Sequence, residues 1–257
     1  MIRGEGFVRN ILFPKTCVFC GSLIIDPADS SARYLLTILS ICPGCLSHLP
    51  FKTFDTHEMP CLSNPYEGDP ISDFTVLVPF RYEGEIVSAL RALKFHDAPY
   101  IAETLAFFMA ESARRTEYLF DAVIPIPLSA ARLRKRGYNQ AALLARAIAR
   151  HVDLPCPENF LLRTRNTKQQ SRYHDPAMRA VNVHGSFAVP DDVSVDSLSV
   201  LLVDDVFTTG NTLHEAARAL YRAGVAQVVA ITAATGRREN DGKGFMTIKL
   251  SNMSTHR

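Results

Sequence analysis

From Phe74 onward, short apolar runs alternate with longer stretches in which apolar residues recur at helical spacing. Ser199 to Val203 has no polar position after Ser199, the pattern of a strand buried on both faces in a parallel sheet covered by helices. Leu213, Ala216, Ala217, Leu220 and Tyr221 then line one helical face. Thr212 followed by Glu215 reads as a capping box, and Gly224 as the stop. Val225 to Ala234 supplies the next strand and completes a βαβ unit. Upstream, Phe74 to Tyr82 reads as a strand despite Pro79, and Glu83 to Phe95 and Tyr100 to Arg115 read as helices. Asp121 to Pro127 is a short strand whose two prolines deny it regular ladder bonds. Tyr138 to Val152 is a helix with Ala141, Leu144, Ala145 and Ile148 on one face. The alternation predicts an α/β fold, a sheet with helices on both faces and ligands beyond the carboxyl ends of its strands.

The chemistry concentrates at one such end. Asp204 and Asp205 close the apolar run, and Thr208, Thr209, Gly210, Asn211 and Thr212 lead into the helix. Unpaired N–H groups and the helix dipole favour an anion at that start. Gly210 lets backbone come close, and the threonine hydroxyls add donors. The two carboxylates can accept from ribose hydroxyls, directly or through Mg²⁺. A plainer reading has the aspartates end a strand and Thr212 cap a helix. The segment is no P-loop, since no Gly-Lys-Ser/Thr follows. The full string resembles the 5-phosphoribosyl 1-diphosphate (PRPP) motif of type I phosphoribosyltransferases.

Charge and cysteines divide the remainder. The 257 residues carry a net charge of +2, laid out unevenly. From Arg132 to Arg179 there are eleven Lys and Arg against three acids, while residues 1 to 131 are acidic in balance. Such a segment suits a polyphosphate or nucleic acid, or is simply a solvated face. Two stretches in it read as basic, donor-rich loops able to close over a diphosphate, Pro125 to Gln140 and Arg163 to Ser171. Cys17 and Cys20 pair with Cys42 and Cys45 as two Cys-x-x-Cys turns, the ligand set of a structural Zn²⁺ site. A redox pair is the rival reading, although it usually shows one such turn at a helix start. Cys61 has no second cysteine beside it, and Cys156 reads as structural.

No apolar stretch approaches the roughly 20 residues of a membrane span. The start shows no signal-peptide pattern, so the expected location is the cytoplasm. The expected organisation is a zinc-ribbon module over 1–60, a linker over 61–73, the main domain over 74–238 and a polar tail over 239–257, with a short strand conceivable at Met246 to Leu250.

These pieces together resemble the ComF family. The likeness runs through Leu12-Phe13-Pro14, the two Cys-x-x-Cys turns, Leu49-Pro50 and Leu93-Lys94-Phe95. It continues through Pro125-Ile126-Pro127-Leu128, Arg136 to Gln140, Thr167 with Gln169, Arg179 with Asn182, and the Asp204-Asp205 motif. Only Cys61 stands where family members often carry further cysteines after the ribbon. The resemblance implies a parallel-sheet type I phosphoribosyltransferase fold with a small N-terminal zinc ribbon, and a link to DNA uptake through partner competence proteins. If the fold transfers phosphoribose, Asp204 and Asp205 hold the ribose hydroxyls and Thr208 to Thr212 the 5-phosphate. Mg²⁺ with Lys94, Arg132 and Arg136 would then stabilise the departing diphosphate. Three functions stay open: an active transferase, a PRPP-binding adaptor for competence or recombination proteins, and single-stranded DNA binding through the ribbon and the basic segment around Arg134 and Lys135.

Overall fold

The computed structural model describes residues 15–24, 39–52, 59–60, 75–95, 98–164 and 185–236, and every structural statement below concerns these. Expectations for Cys61, the linker after Pro60, the tail, Arg165 to Ser171 and Arg179 with Asn182 lie outside them.

The sheet grows outward from two long strands, β7 (Ser199–Phe207) and β8 (Gln227–Thr235), paired in parallel with Ser199 opposite Gln227 and Phe207 opposite Thr235. β4 (Ala122–Pro125) adds to β7 in parallel, with Ala122 opposite Val200. On the other side β2 (Thr75–Leu77) and β3 (Phe80–Arg81) both join β8 in parallel. β1 (Met59–Pro60) lies antiparallel on β2 and completes six strands. The strand expected over Phe74 to Tyr82 is therefore two pieces. Pro79 has no N–H to continue the ladder, and its carbonyl instead accepts from the Lys52 N–H at 2.7 Å.

Alternate residues of the central strands go to opposite faces, and both faces are dry. Leu201, Val203, Val229 and Ile231 join one core with α2 (Gly84–Phe95), α3 (Ile101–Arg114) and α5 (Gln140–Val152). Val200, Leu202, Val228 and Ala230 join the other with Leu213, Ala216, Ala217 and Leu220 of α6 (Asn211–Arg222). That two-sided burial is why β7 reads as an unbroken apolar run.

The cysteine-bearing segment belongs to the first core. Cys17, Leu39, Ile41, Cys45 and Leu49 share it with Phe80, Leu105 and Phe108. The Thr104 hydroxyl donates to the Leu39 carbonyl at 2.7 Å, and Phe51 lies 5.0 Å from Phe80 and 5.4 Å from Phe108 between ring centres. Phe80, fully buried at this junction, is its keystone. Phe80→Ala is expected to cost about 3–5 kcal/mol of stability, read as a shifted urea midpoint. A shift under about 1 kcal/mol would show that the junction contributes little.

Three local features differ from the sequence reading. Pro125 to Gln140 is not a loop throughout: Ala130–Arg136 forms helix α4, opened by the Ser129 hydroxyl accepting from the Arg132 N–H and closed by left-handed Gly137. Thr212 is not the cap of α6. Gly210 occupies that position with φ +83°, its carbonyl accepting from the His214 N–H at 2.8 Å, so Thr212 falls inside the first turn. Glu215, freed from any capping role, accepts from the Gly185 N–H at 2.8 Å and pairs with Arg218. Arg163 begins no loop. It belongs to β5 (Leu162–Arg163), which forms a small antiparallel ribbon with β6 (Phe187–Ala188). A six-residue helix, α1 (Pro43–His48), also carries Cys45.

Candidate functional site

β7 runs on through Asp204 and Asp205 before it ends at Phe207, so both carboxylates are presented by rigid, paired backbone. Thr208, Thr209 and Gly210 turn the chain, and Asn211 and Thr212 open α6. Gly210 brings no side chain to cap the helix, and its positive φ is what makes the turn tight. A cleft of ≈ 450 Å³ sits over this end of the sheet, at the place where a βαβ unit receives a ligand. Asp204, Asp205 and the whole stretch Thr208 to Thr212 line it, together with Lys94, Arg132 and Arg136. All ten of these residues were expected from the sequence, and they converge on one cavity.

The three cations come from two helices. Lys94 stands on the last turn of α2 and its Nζ lies 2.9 Å from Asp205 Oδ2. Arg132 and Arg136 project from α4, where Arg136 donates to Gln140 Oε1 at 2.9 Å and lies over the Phe95 ring. Asn139 ties the turn after α4 to the sheet, donating to the Ile126 carbonyl at 2.9 Å and accepting from the Ala141 N–H. Tyr138 anchors α2, its hydroxyl donating to the Leu93 carbonyl at 2.7 Å.

Tyr82 and Arg163 are among the lining residues that the sequence reading does not single out. Arg163 is legible there only as one cation of a donor-rich stretch. Its β-ribbon, formed with a strand beyond the undescribed residues 165–184, brings it to the cleft and sets its guanidinium 5.0 Å from the Phe187 ring centre.

The electrostatics of the cleft are strained in both directions. Asp204 keeps some surface at the cleft floor yet is ringed by protein atoms. That burial, with Asp205 beside it, pushes it up to about 7, against the pull of its bond from the Asp205 N–H, Lys94 and Arg163. Arg163 is pushed down to about 10, by burial first and then by Arg132. Burial likewise lowers Arg132, with Arg136 adding to the effect. Crowded cations and a reluctant carboxylate in one cleft mark a site built for a ligand that carries several negative charges and polar hydroxyls.

A stability consequence follows from Asp204. Its folded value lies above the ordinary 3.8, so between about pH 4 and pH 7 the folded chain holds a proton that the unfolded chain has lost. This group's contribution therefore makes stability fall as pH rises through that window and level off above it. Asp204→Asn removes the fall. The variant's thermal midpoint should exceed that of the unaltered protein by more at pH 8 than at pH 5. An advantage that does not grow with pH would contradict the strained carboxylate.

The four cysteines Cys17, Cys20, Cys42 and Cys45 come together some distance along the chain from this cleft, their Sγ atoms all within 4.8 Å of one another. Cys20 and Cys42 are 3.7 Å apart at sulfur, and all four are free thiols. Tetrahedral bonds of about 2.3 Å separate sulfurs by roughly 3.8 Å, so the donor set fits a metal ion. The turns are shaped for it: the Gly21 N–H donates to the Cys17 carbonyl with Gly21 left-handed, and the Cys45 N–H donates to Cys42 Sγ. Cys156 lies elsewhere, half-buried, its thiol raised to about 11 by burial first, as suits an inert structural residue.

This combination of parallel sheet, paired aspartates and helix start defines a phosphoribosyltransferase-type domain, and the phosphoribosyl transferase domain family matches residues 95–251. Among characterised proteins, competence protein F of Haemophilus influenzae is 32% identical over 227 residues, 84% of this chain and 95% of that one. Competence protein ComFC of Bacillus subtilis is 35% identical over 230 residues, 83% of this chain and 91% of that one. An adenine phosphoribosyltransferase structure from Leishmania tarentolae overlaps 83% of this chain and 90% of its own, at 13% identity and a TM-score of 0.36. The chain belongs to the ComF family. Among the described residues, no helix is long and apolar enough to cross a membrane.

Proposed function

We propose that the cleft binds PRPP and that the protein is a phosphoribosyltransferase serving DNA uptake. The observation that carries this reading is that a carboxylate pair, a helix N-terminus and a group of cations line one cavity. The first turn of α6, with the hydroxyls of Thr208, Thr209 and Thr212, receives the 5-phosphate. Asp204 and Asp205 accept from the ribose hydroxyls, and Lys94, Arg132, Arg136 and Arg163 surround the diphosphate. Mg²⁺ would be held by the aspartates together with the ligand, and would neutralise charge on the leaving diphosphate.

In transfer, the bond from C1 to the diphosphate breaks with its electron pair going to the diphosphate. The acceptor's nucleophile bonds C1 and gives its proton to solvent. Positioning and charge compensation supply the catalysis. Binding strengthens as pH rises through about 7, because Asp204 must be ionised to accept both hydroxyls.

Zn²⁺ is the metal that the four thiolates suit, and its role is structural, since they leave no coordination position open. The expected partners are competence or recombination proteins, the relatives themselves being named competence proteins, and the expected location is the cytoplasm. The test is diphosphate release from PRPP with a panel of nucleobase and nucleotide acceptors. Release that requires an acceptor supports transfer. Tight PRPP binding with no release under any acceptor would replace the transferase by a PRPP-responsive adaptor.

A further inference from the structure

Lys94, Arg132 and Arg136 have a second side. Besides lining the first cleft they border another, of ≈ 690 Å³, completed by Phe95, Arg134, Lys135, Gly137 and Tyr138. Five of its eight lining residues are cations and none is acidic. Cations gathered at one cavity repel one another and raise local anion concentration, so such a wall is costly unless something negative is received there. Nothing in the phosphoribosyl chemistry uses Arg134, Lys135 or Phe95. α4 buries none of its residues, so its four cations are not explained by core formation. Phe95 is 62% exposed although large and apolar. One face of its ring is met by Arg136, with the guanidinium carbon 5.2 Å from the ring centre. That arrangement stacks a cation on an aromatic ring at the rim of a basic pocket, which is how a flat base and a phosphate are taken together.

The position of the pocket narrows its role. It shares with the first cleft only the cations, and none of Asp204 to Leu213 borders it. It therefore adjoins the diphosphate end of the proposed ligand and lies away from the 5-phosphate end at α6.

The geometry points to a second subsite for a 5′-phosphorylated nucleotide, its base against Phe95 and its phosphate between Arg134 and Lys135. This site does not rest on the phosphoribosyl reading of the first cleft. A free nucleotide and the 5′ end of a nucleic acid strand present the same chemistry.

The test is calorimetry with AMP, adenosine, inorganic phosphate and a short DNA oligonucleotide with and without its 5′-phosphate. The protein is used unaltered, as Arg134→Gln with Lys135→Gln, and as Phe95→Ala. The first pair of substitutions lies on exposed helix positions outside the first cleft. AMP is expected to bind more tightly than adenosine or phosphate, and to weaken about tenfold or more in each variant. PRPP binding should be unchanged in Arg134→Gln with Lys135→Gln. An oligonucleotide that binds better with its 5′-phosphate than without it, and weakens in the same variants, identifies the strand end as the source. AMP binding alone identifies the free nucleotide. Undiminished AMP affinity in the variants, equal affinity for inorganic phosphate, or oligonucleotide binding indifferent to the 5′-phosphate would each overturn the subsite. If the unaltered protein binds AMP but not PRPP, the phosphoribosyl reading fails while the nucleotide site stands.

Discussion

Asp204→Asn combined with Asp205→Asn abolishes PRPP binding and leaves the fold intact. The carboxylates contribute nothing to the hydrophobic core; they sit where β7 emerges into the cleft, and the chief internal partner of Asp205 is Lys94. A hydrogen bond to a charged group is worth about 1.5–3 kcal/mol. Two such groups lost toward the ribose, with any Mg²⁺ they hold, should weaken binding by at least about a hundredfold. Stability is expected to hold or to rise at pH 8, because the substitution removes a carboxylate that burial has raised to about 7. Titration calorimetry with matched thermal melts separates the two effects. PRPP affinity within about twofold of the unaltered protein, in a folded variant, would falsify the assigned site.

Loss of the metal proposed for the four thiolates is expected to be the other severe perturbation. A structural zinc site is worth roughly 10–16 kcal/mol to the fold that depends on it, comparable with the 5–15 kcal/mol that holds a whole domain together. Chelation, or Cys45→Ser, should therefore unfold the segments 15–24 and 39–52. Because Leu39, Cys45 and Leu49 share a core with Phe80, Leu105 and Phe108, the damage should reach α3 and lower the melting temperature of the main domain as well. Limited proteolysis and circular dichroism, before and after chelation, check this alongside metal analysis of the purified protein. Unchanged spectra and protease resistance after complete metal removal would show that the thiol cluster carries no structural load.

The long elements are legible because packing writes a strong period into them. β7 and β8 are buried on both faces, and α3, α5 and α6 each carry one wide apolar stripe, so their boundaries follow the sequence pattern closely, except that β7 continues past the expected end at Val203 to Phe207. α4 is invisible to periodicity, since its seven residues hold four cations and bury nothing. Its only signals are Ser129 and Gly137, the residues that cap it. The ribbon of β5 and β6 escapes for a different reason: two-residue strands paired across a long separation leave no local trace. That miss matters for the site, because the ribbon is what delivers Arg163. The capping error at Thr212 shows a limit of pattern matching. A glycine in the left-handed region can begin a helix with no side-chain bond at all, and here it leaves the first turn as part of the cleft wall. The aspartate–threonine motif was readable as a string because strand, turn and helix follow one another without interruption. The cations that share the cleft with it come from α2 and α4, far away in the chain: Arg132 and Arg136 lie in a stretch already legible as basic, and the family resemblance named Lys94.

The central claim is that the cleft at the end of β7 is a PRPP site. Calorimetric titration of the unaltered protein with PRPP, with and without Mg²⁺, tests it most directly. The account predicts saturable one-to-one binding that Mg²⁺ strengthens, and ribose 5-phosphate binding weaker by about tenfold or more because it lacks the diphosphate that the cations address. No saturable heat with PRPP and Mg²⁺ at pH 8, where Asp204 is ionised, would contradict it.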